Sequence, residues 1–335
     1  MSAQPESLSD LPDREEAAQR VRDGLRCLQL SGSIFLHAQF TAPWAYQSAD
    51  TASLEATIQS NGRRVIVFHI FTEGSSIVAL PSGQRIDDVE PGDIVILPFA
   101  DPHVCGHPTT ANPIDIRRLW PPKPWPPIAM IRYGAGGPRT SMVCGYLLSD
   151  DVPLNPVLAS LPPLMRVRPR GGPLANWVAA SVNYALHAAA RGTEGDSLLQ
   201  RLPELLFTEC LCEFAATDPQ SEQGWLAGLQ DPAVGKALAC LHREPEAPWT
   251  LDALAKKAGA SRSVLDQRFR KLLGKAPMAY LAAWRVQLAA RQLRTTNATL
   301  AEIAEGVGYG NEASFSKAFK RHAGVSPGEW RATAR

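Results

Sequence analysis

The side chains best suited to chemistry in this 335-residue chain fall into two sets. The first is a basic face near the C-terminus, within Thr299–Arg331, TLAEIAEGVGYGNEASFSKAFKRHAGVSPGEWR, where Phe315 and Phe319 recur at i and i+4. If these rings face a core, Ala313, Lys317, Lys320 and Arg321 point away from it and offer cations to phosphates. The second set is thiols and imidazoles. The six cysteines sit at irregular spacings, which in a cytosolic chain favours free thiols or metal ligands over disulfides. Cys27, Cys105 and Cys144 are redox candidates, on condition that one of them is an exposed thiolate of low pKa.

The elements that hold the basic face follow from its capping signals. Thr299 and Glu302 form a capping box, Gly308-Tyr309-Gly310 breaks the helix, and Ser326-Pro327-Gly328-Glu329 opens another with cap, proline and glutamate in order. The result is a helix-turn-helix with a bracing helix. It also occurs twice: Thr250-Leu251, Leu254 and Ala255 match Thr299-Leu300, Ile303 and Ala304, while Leu265, Phe269, Gly274, Pro277 and Tyr280 match Phe315, Phe319, Gly324, Pro327 and Trp330. Between the copies, Pro277 to Thr296 predicts a helix roughly 30 Å long. Successive major-groove faces of B-DNA lie roughly 34 Å apart, so such a spacer can set two heads into adjacent turns.

Composition places this region in a two-domain chain. From 230 to 335 there are 17 Lys and Arg against 9 Asp and Glu; the rest has 17 against 24, so only the C-terminal part suits a polyanion. A polar, acidic N-terminus and the lack of a long apolar run predict no signal peptide, no membrane partner and a cytoplasmic location. Pro12 is placed to open a helix through Val21, Leu25 and Leu28. From Ile34 to Val143, short β-prone runs broken by Gly and Pro predict an antiparallel barrel or sandwich, with the Pro-rich Trp120–Pro127 segment as a loop upon it. Leucine-rich helical patterns follow Pro173, and Thr217–Gly224 reads as the start of a linker. The expected class is α+β multidomain: 1–172 a β-barrel domain with an N-terminal helix, 173–216 a helical pair and candidate homodimer element, 217–230 the linker, and 231–335 the double helix-turn-helix domain.

The region from Gln230 to Arg335, above all IAEGVGYGNEASFSKAFKRHAGVSPGEWR, resembles the DNA-binding domain of the AraC/XylS family of bacterial transcription regulators. Helix geometry and this resemblance give the same reading faces. Ser263, Asp266, Gln267 and Arg270 are left for bases on the first recognition helix. On the second, Glu312, Ala313, Ser314 and Lys317 are similar to the family's groove contacts, and Arg262, Lys271, Lys320 and Arg321 would hold phosphates. The resemblance implies double-stranded DNA as partner, RNA polymerase if the regulator activates, and an effector not identified by the sequence.

The β region resembles the cupin-type sensor domain of one branch of this family. Gly92-Asp93-Ile94-Val95-Ile96-Leu97-Pro98 with His103 has the spacing of the second cupin motif, although Ala100 replaces a glycine. His69 and Glu73 keep the later half of the first motif, but Val67 replaces its first histidine, which weakens an oxygenase site. His37 and Cys144 could join His69 and His103 in a closed His3Cys zinc set; the alternative is that the histidines are satisfied core residues and Cys144 a small buried hydrophobe. The expected function is a sequence-specific, non-enzymatic regulator responding to a small molecule, metal or oxidant. A metal-dependent cupin enzyme fused to a DNA-binding domain is the alternative.

Overall fold

The computed structural model of the protein describes residues 11–25, 30–60, 63–107, 112–126, 128–149, 158–169, 171–190, 197–217 and 224–333. Its two compact units are Leu30–Asp150 with Pro162–Cys210, and Met1–Gln29 with Asp151–Leu161 and Leu211–Arg335. The N-terminal helix, α1 (Leu11–Leu25), therefore belongs with the C-terminal helices, where the sequence had suggested the barrel.

The barrel unit contains β1 (Leu30–Thr41), β2 (Ala45–Gln47), α2 (Thr51–Ile58), β3 (Arg64–Glu73), β4 (Ser76–Ala79), β5 (Arg85–Val89), β6 (Ile94–Leu97), β7 (Val104–Gly106), β8 (Ile114–Asp115), β9 (Ala129–Gly134), β10 (Arg139–Ser149), β11 (Met165–Val167) and α3 (Gly172–Ala190). A six-stranded sheet runs β11-β6-β3-β10-β1-β9 and a five-stranded one β5-β4-β7-β2-β8. Most pairs are antiparallel, but β1–β9 and β2–β8 are parallel. The proline-rich connection after Trp120 cannot continue a strand, and it returns the chain so that β9 lies alongside β1 in the same direction. Strict alternation on β1 sends Leu36, Ala38 and Phe40 into the core that both sheets enclose. Strand β3 is paired on both edges, with β10 and β6, and its residues from Val65 to Phe71 are buried on both faces.

In the helical unit, α4 (Ser197–Thr217), of which this unit holds the portion from Leu211, is followed by α5 (Trp225–Gln230), α6 (Pro232–Arg243), α7 (Leu251–Ala258), α8 (Arg262–Leu273), α9 (Pro277–Thr295), α10 (Leu300–Gly306), α11 (Glu312–Ala323) and α12 (Pro327–Thr333). The expected linker at 217–230 is thus replaced, over its last residues, by the buried helix α5, whose Trp225, Leu226 and Leu229 are core residues. Helix α1 packs on it closely. Arg20 Nη1 donates to Leu229 O at 2.8 Å, and a Cβ at Gly24 would lie 2.2 Å from the Trp225 ring.

Arg285 on α9 fixes the geometry between the two repeats. Its guanidinium donates to Pro245 O, Ala247 O and Gly308 O at 2.7, 2.8 and 2.9 Å, so the loop after α6 and the turn after α10 are tied to one side chain. Gly308 has φ +86°, and any Cβ there would meet this guanidinium.

Candidate functional site

Each candidate reading helix is built by its caps. The Thr250 side chain accepts from Ala253 N and Ser261 from Val264 N, which start α7 and α8. In the second copy the Thr299–Glu302 capping box starts α10 and Asn311 accepts from Ser314 N to start α11. Leu265 and Phe269 anchor α8; Phe315, Ala318 and Phe319 anchor α11. Burying those rows turns Ser263, Gln267, Arg270 and Lys271 outward on α8 and Glu312, Ala313, Ser314, Lys317, Lys320 and Arg321 outward on α11.

Three details change the expected reading face. Asp266 is only partly exposed, and its Oδ2 accepts from Arg270 Nε at 2.8 Å, so these two residues act as a pair. Arg262 lies 3.5 Å from Asp252 across the turn, a contact between exposed groups. Sequence reasoning also missed two residues on α8. Arg268 reaches Asp231, the cap of α6, at 3.2 Å, and Val264 is 38% exposed beside Ser263. An apolar residue in the exposed first turn was the available signal for the latter.

The barrel holds the second site, a cavity of about 50 Å³ whose lining includes Phe40, Tyr46, Val67, His69, His103 and Cys144. Pairing places Leu36, Cys144 and His69 in one register row, so all three share the inner face. His103 follows β6 through a turn in which Ala100 adopts φ +51°, the conformation for which glycine is the easier residue. Its backbone is held from both sides: His103 N donates to Ser48 Oγ at 2.8 Å, and its carbonyl accepts from Ser48 N at 2.8 Å and Gln47 Nε2 at 3.2 Å.

The three inner residues form a chain. His103 Nδ1 lies 3.0 Å from Asp101 O, His103 Nε2 is 3.0 Å from His69 Nε2, and His69 Nδ1 is 3.0 Å from Cys144 Sγ. A carbonyl only accepts, so His103 Nδ1 carries the proton. Burial lowers the pKa of His103 to about 4 and holds His69 well below the usual imidazole value, with the neighbouring His103 adding to the effect, so both rings are neutral. His103 Nε2 is then an acceptor, His69 Nε2 donates to it, and Cys144 donates its thiol proton to His69 Nδ1.

This arrangement does not assemble the expected His3Cys zinc set. His37 pairs across from Val143, one residue out of phase with Cys144, and its Nε2 meets Ser141 Oγ at 3.1 Å away from the cavity. His103 and Cys144 approach opposite nitrogens of the His69 ring and do not converge on a common point. Among the described residues no group of three or more His, Cys, Asp or Glu is disposed to hold a metal ion. Glu73 of the first motif is exposed and lies 3.8 Å from Arg139.

The thiols also differ from the expectation of an exposed, acidic thiolate. Cys105 is fully buried, 3.3 Å from Ser76 Oγ, and burial pushes its pKa up to about 11. Cys144 is buried as well, and desolvation raises its pKa well above the usual thiol value. Cys27 lies outside the described residues.

Residues 20–215 match a family described as Cupin, and residues 254–333 match a helix-turn-helix domain. An AraC-like regulator from Streptomyces lividans is 42% identical over 178 residues, which cover 52% of this chain and 58% of that protein. The match therefore spans little more than half the length of that relative. The regulator AlkR of Acinetobacter baylyi is 27% identical over 91% of this chain and 96% of its own. The RCS-specific activator RclR of Escherichia coli is 29% identical over 81% and 86%. Among solved structures, the DNA-binding domain of AdpA in complex with a target DNA aligns with 32% of this chain and 95% of its own, at 33% identity and a TM-score of 0.30. With a cupin match over more than half of its length and a helix-turn-helix match after it, the chain belongs to the family of AraC-type transcription regulators that carry an N-terminal cupin domain.

Proposed function

We propose that this chain is a sequence-specific DNA-binding regulator whose barrel receives a chemical signal and whose two reading heads engage one face of double-stranded DNA. The observation that carries the reading is the duplication. Helices α8 and α11, each capped, buried on one side and polar or basic on the other, belong to two helix-turn-helix units joined by the single helix α9. Its 19 residues give a length of about 28 Å, close to the roughly 34 Å repeat of the major groove. Ser263, Gln267, Arg270 aimed by Asp266, Glu312, Ser314 and Lys317 read bases; Lys271, Lys320 and Arg321 hold phosphates and set the salt dependence. A signal in the cavity acts by binding one arrangement of the reading heads better than another, and no catalysis is required. Homodimerisation through α3 and α4, where Leu205 exposes 53% of its surface, belongs to the same reading, as does contact with RNA polymerase if transcription rises.

Selection from random duplexes followed by titration tests it. The wild type binds its selected sequence with a Kd on the order of 10⁻⁸ M at physiological salt. Replacing Gln267 and Lys317 together by alanine weakens that binding at least tenfold and relaxes base preference at two separated positions, since a good base contact contributes about 1–3 kcal/mol. Unchanged affinity and preference in the double variant would overturn the assignment of the reading faces.

A further inference from the structure

The barrel cavity combines an apolar wall with a thiol–imidazole relay that DNA reading does not use. Its lining is aromatic and aliphatic apart from a few groups, and three of those, Cys144, His69 and His103, are engaged with one another. Their hydrogen-bonding capacity is largely spent, so the cavity offers little to a charged or strongly polar guest. Phe35, Leu54 and Trp120 line the same space and are only half-buried, which gives it a route to solvent. Burial keeps the resting thiol neutral, so attack by Sγ requires its proton to pass to the imidazole nitrogen it already points at.

The geometry points to Cys144 as a covalent docking site for small, neutral α,β-unsaturated carbonyl compounds, with His69 as the base that accepts the thiol proton. The inference rests on the barrel being the sensing half of the regulator and names the class of signal it takes. As Sγ bonds the β-carbon, the π-electron pair passes to the α-carbon and carbonyl oxygen as an enolate. The thiol proton moves to His69 Nδ1 and is then delivered to the α-carbon. Nothing leaves and no oxidant is consumed. While His69 carries the extra proton, its Nε2–H bond to His103 Nε2 becomes charge-assisted, and Asp101 O fixes the far end of the relay. Because a water needs roughly 10–15 Å³ of such volume, the space admits about three to five water-sized groups, the size of acrolein and well below that of N-phenylmaleimide.

The test treats the full-length protein with acrolein and follows each thiol by peptide mass over time, with the half-buried Cys240 as internal control. One acrolein adduct is expected on Cys144, and none from N-phenylmaleimide at that residue. His69→Gln slows the Cys144 reaction by on the order of a hundredfold, as expected for loss of a positioned base, while Cys240 reacts at its wild-type rate. His103→Asn, which leaves the base in place, gives a smaller slowing and serves as the readout if His69→Gln fails to fold. Cys144 remaining unmodified when Cys240 is fully labelled, or reacting at the wild-type rate in every variant that folds, would overturn the proposal. Because the adduct is read by mass, its formation is scored separately from any change in DNA binding.

Discussion

At the residue scale, the reading face depends on which side chains act alone. Asp266 and Arg270 are four apart on α8 and joined by a 2.8 Å contact, so the carboxylate aims the guanidinium. An exposed pair of this kind contributes about 0.3–0.5 kcal/mol to stability, and its removal is expected to be nearly silent in a melt. Asp266→Ala should leave the urea midpoint within error while changing base preference at the positions Arg270 reaches, as measured by selection from random duplexes. Altered stability with unchanged preference would make the pair structural. The outward faces of α8 and α11 were legible in the sequence because helical periodicity and the aromatic anchors fix which side faces out. The pairing was not, since an i, i+4 contact is only one of the conformations open to an exposed arginine. His37 shows the opposite lesson: Leu36, Ala38 and Phe40 alternate with it on β1, so its phase already pointed away from the barrel interior.

At the scale of elements, α1 is the part that sequence pattern could not place. An amphipathic helix declares that one face is covered but not by what, and the polar run before Trp225 resembled a linker. The structure pairs Gly24 with Trp225 so closely that Gly24→Val must displace one of them. Overpacking of this kind costs about 1–3 kcal/mol, so the variant should show a lower urea midpoint and faster amide exchange in both α1 and α5. Behind Trp225 lies His242, with its ring centroid 4.2 Å from that of Trp284 and its Nε2 2.8 Å from Tyr280 Oη. Burial lowers its pKa to about 3, against about 6.5 when unfolded. Between those values the unfolded chain binds a proton that the native chain does not, so stability falls as pH drops from 6.5 towards 3. The slope from this group approaches about 1.4 kcal/mol per pH unit, and His322, whose pKa burial also lowers, acts in the same direction. Urea midpoints measured across this range should show a shallower pH dependence in His242→Gln than in the wild type. Equal slopes would mean that His242 is already protonated in the native state.

At the scale of the whole molecule, the chain divides its chemistry by unit. The barrel unit encloses a neutral relay in an apolar space, and the helical unit carries two outward polar or basic helix faces, on α8 and α11, with α9 between their helix-turn-helix units. The duplication was readable because core and turn positions recur together, and turn chemistry tolerates few alternatives. The sequence grouped Cys144, His69 and His103 only as ligands, together with His37; their order as a hydrogen-bonded chain was not readable, since they come from separate segments and only strand register and the turn through Ala100 bring them into line. On this account one chain reads two successive groove segments. The most direct measurement is a hydroxyl-radical footprint of the full-length protein on its selected duplex, repeated with Gln267→Ala and Lys317→Ala separately. Protection should appear on one face in two patches per bound chain, roughly 10 base pairs apart, with each substitution weakening a different patch. A single patch per chain, or the same patch weakened by both substitutions, would contradict it.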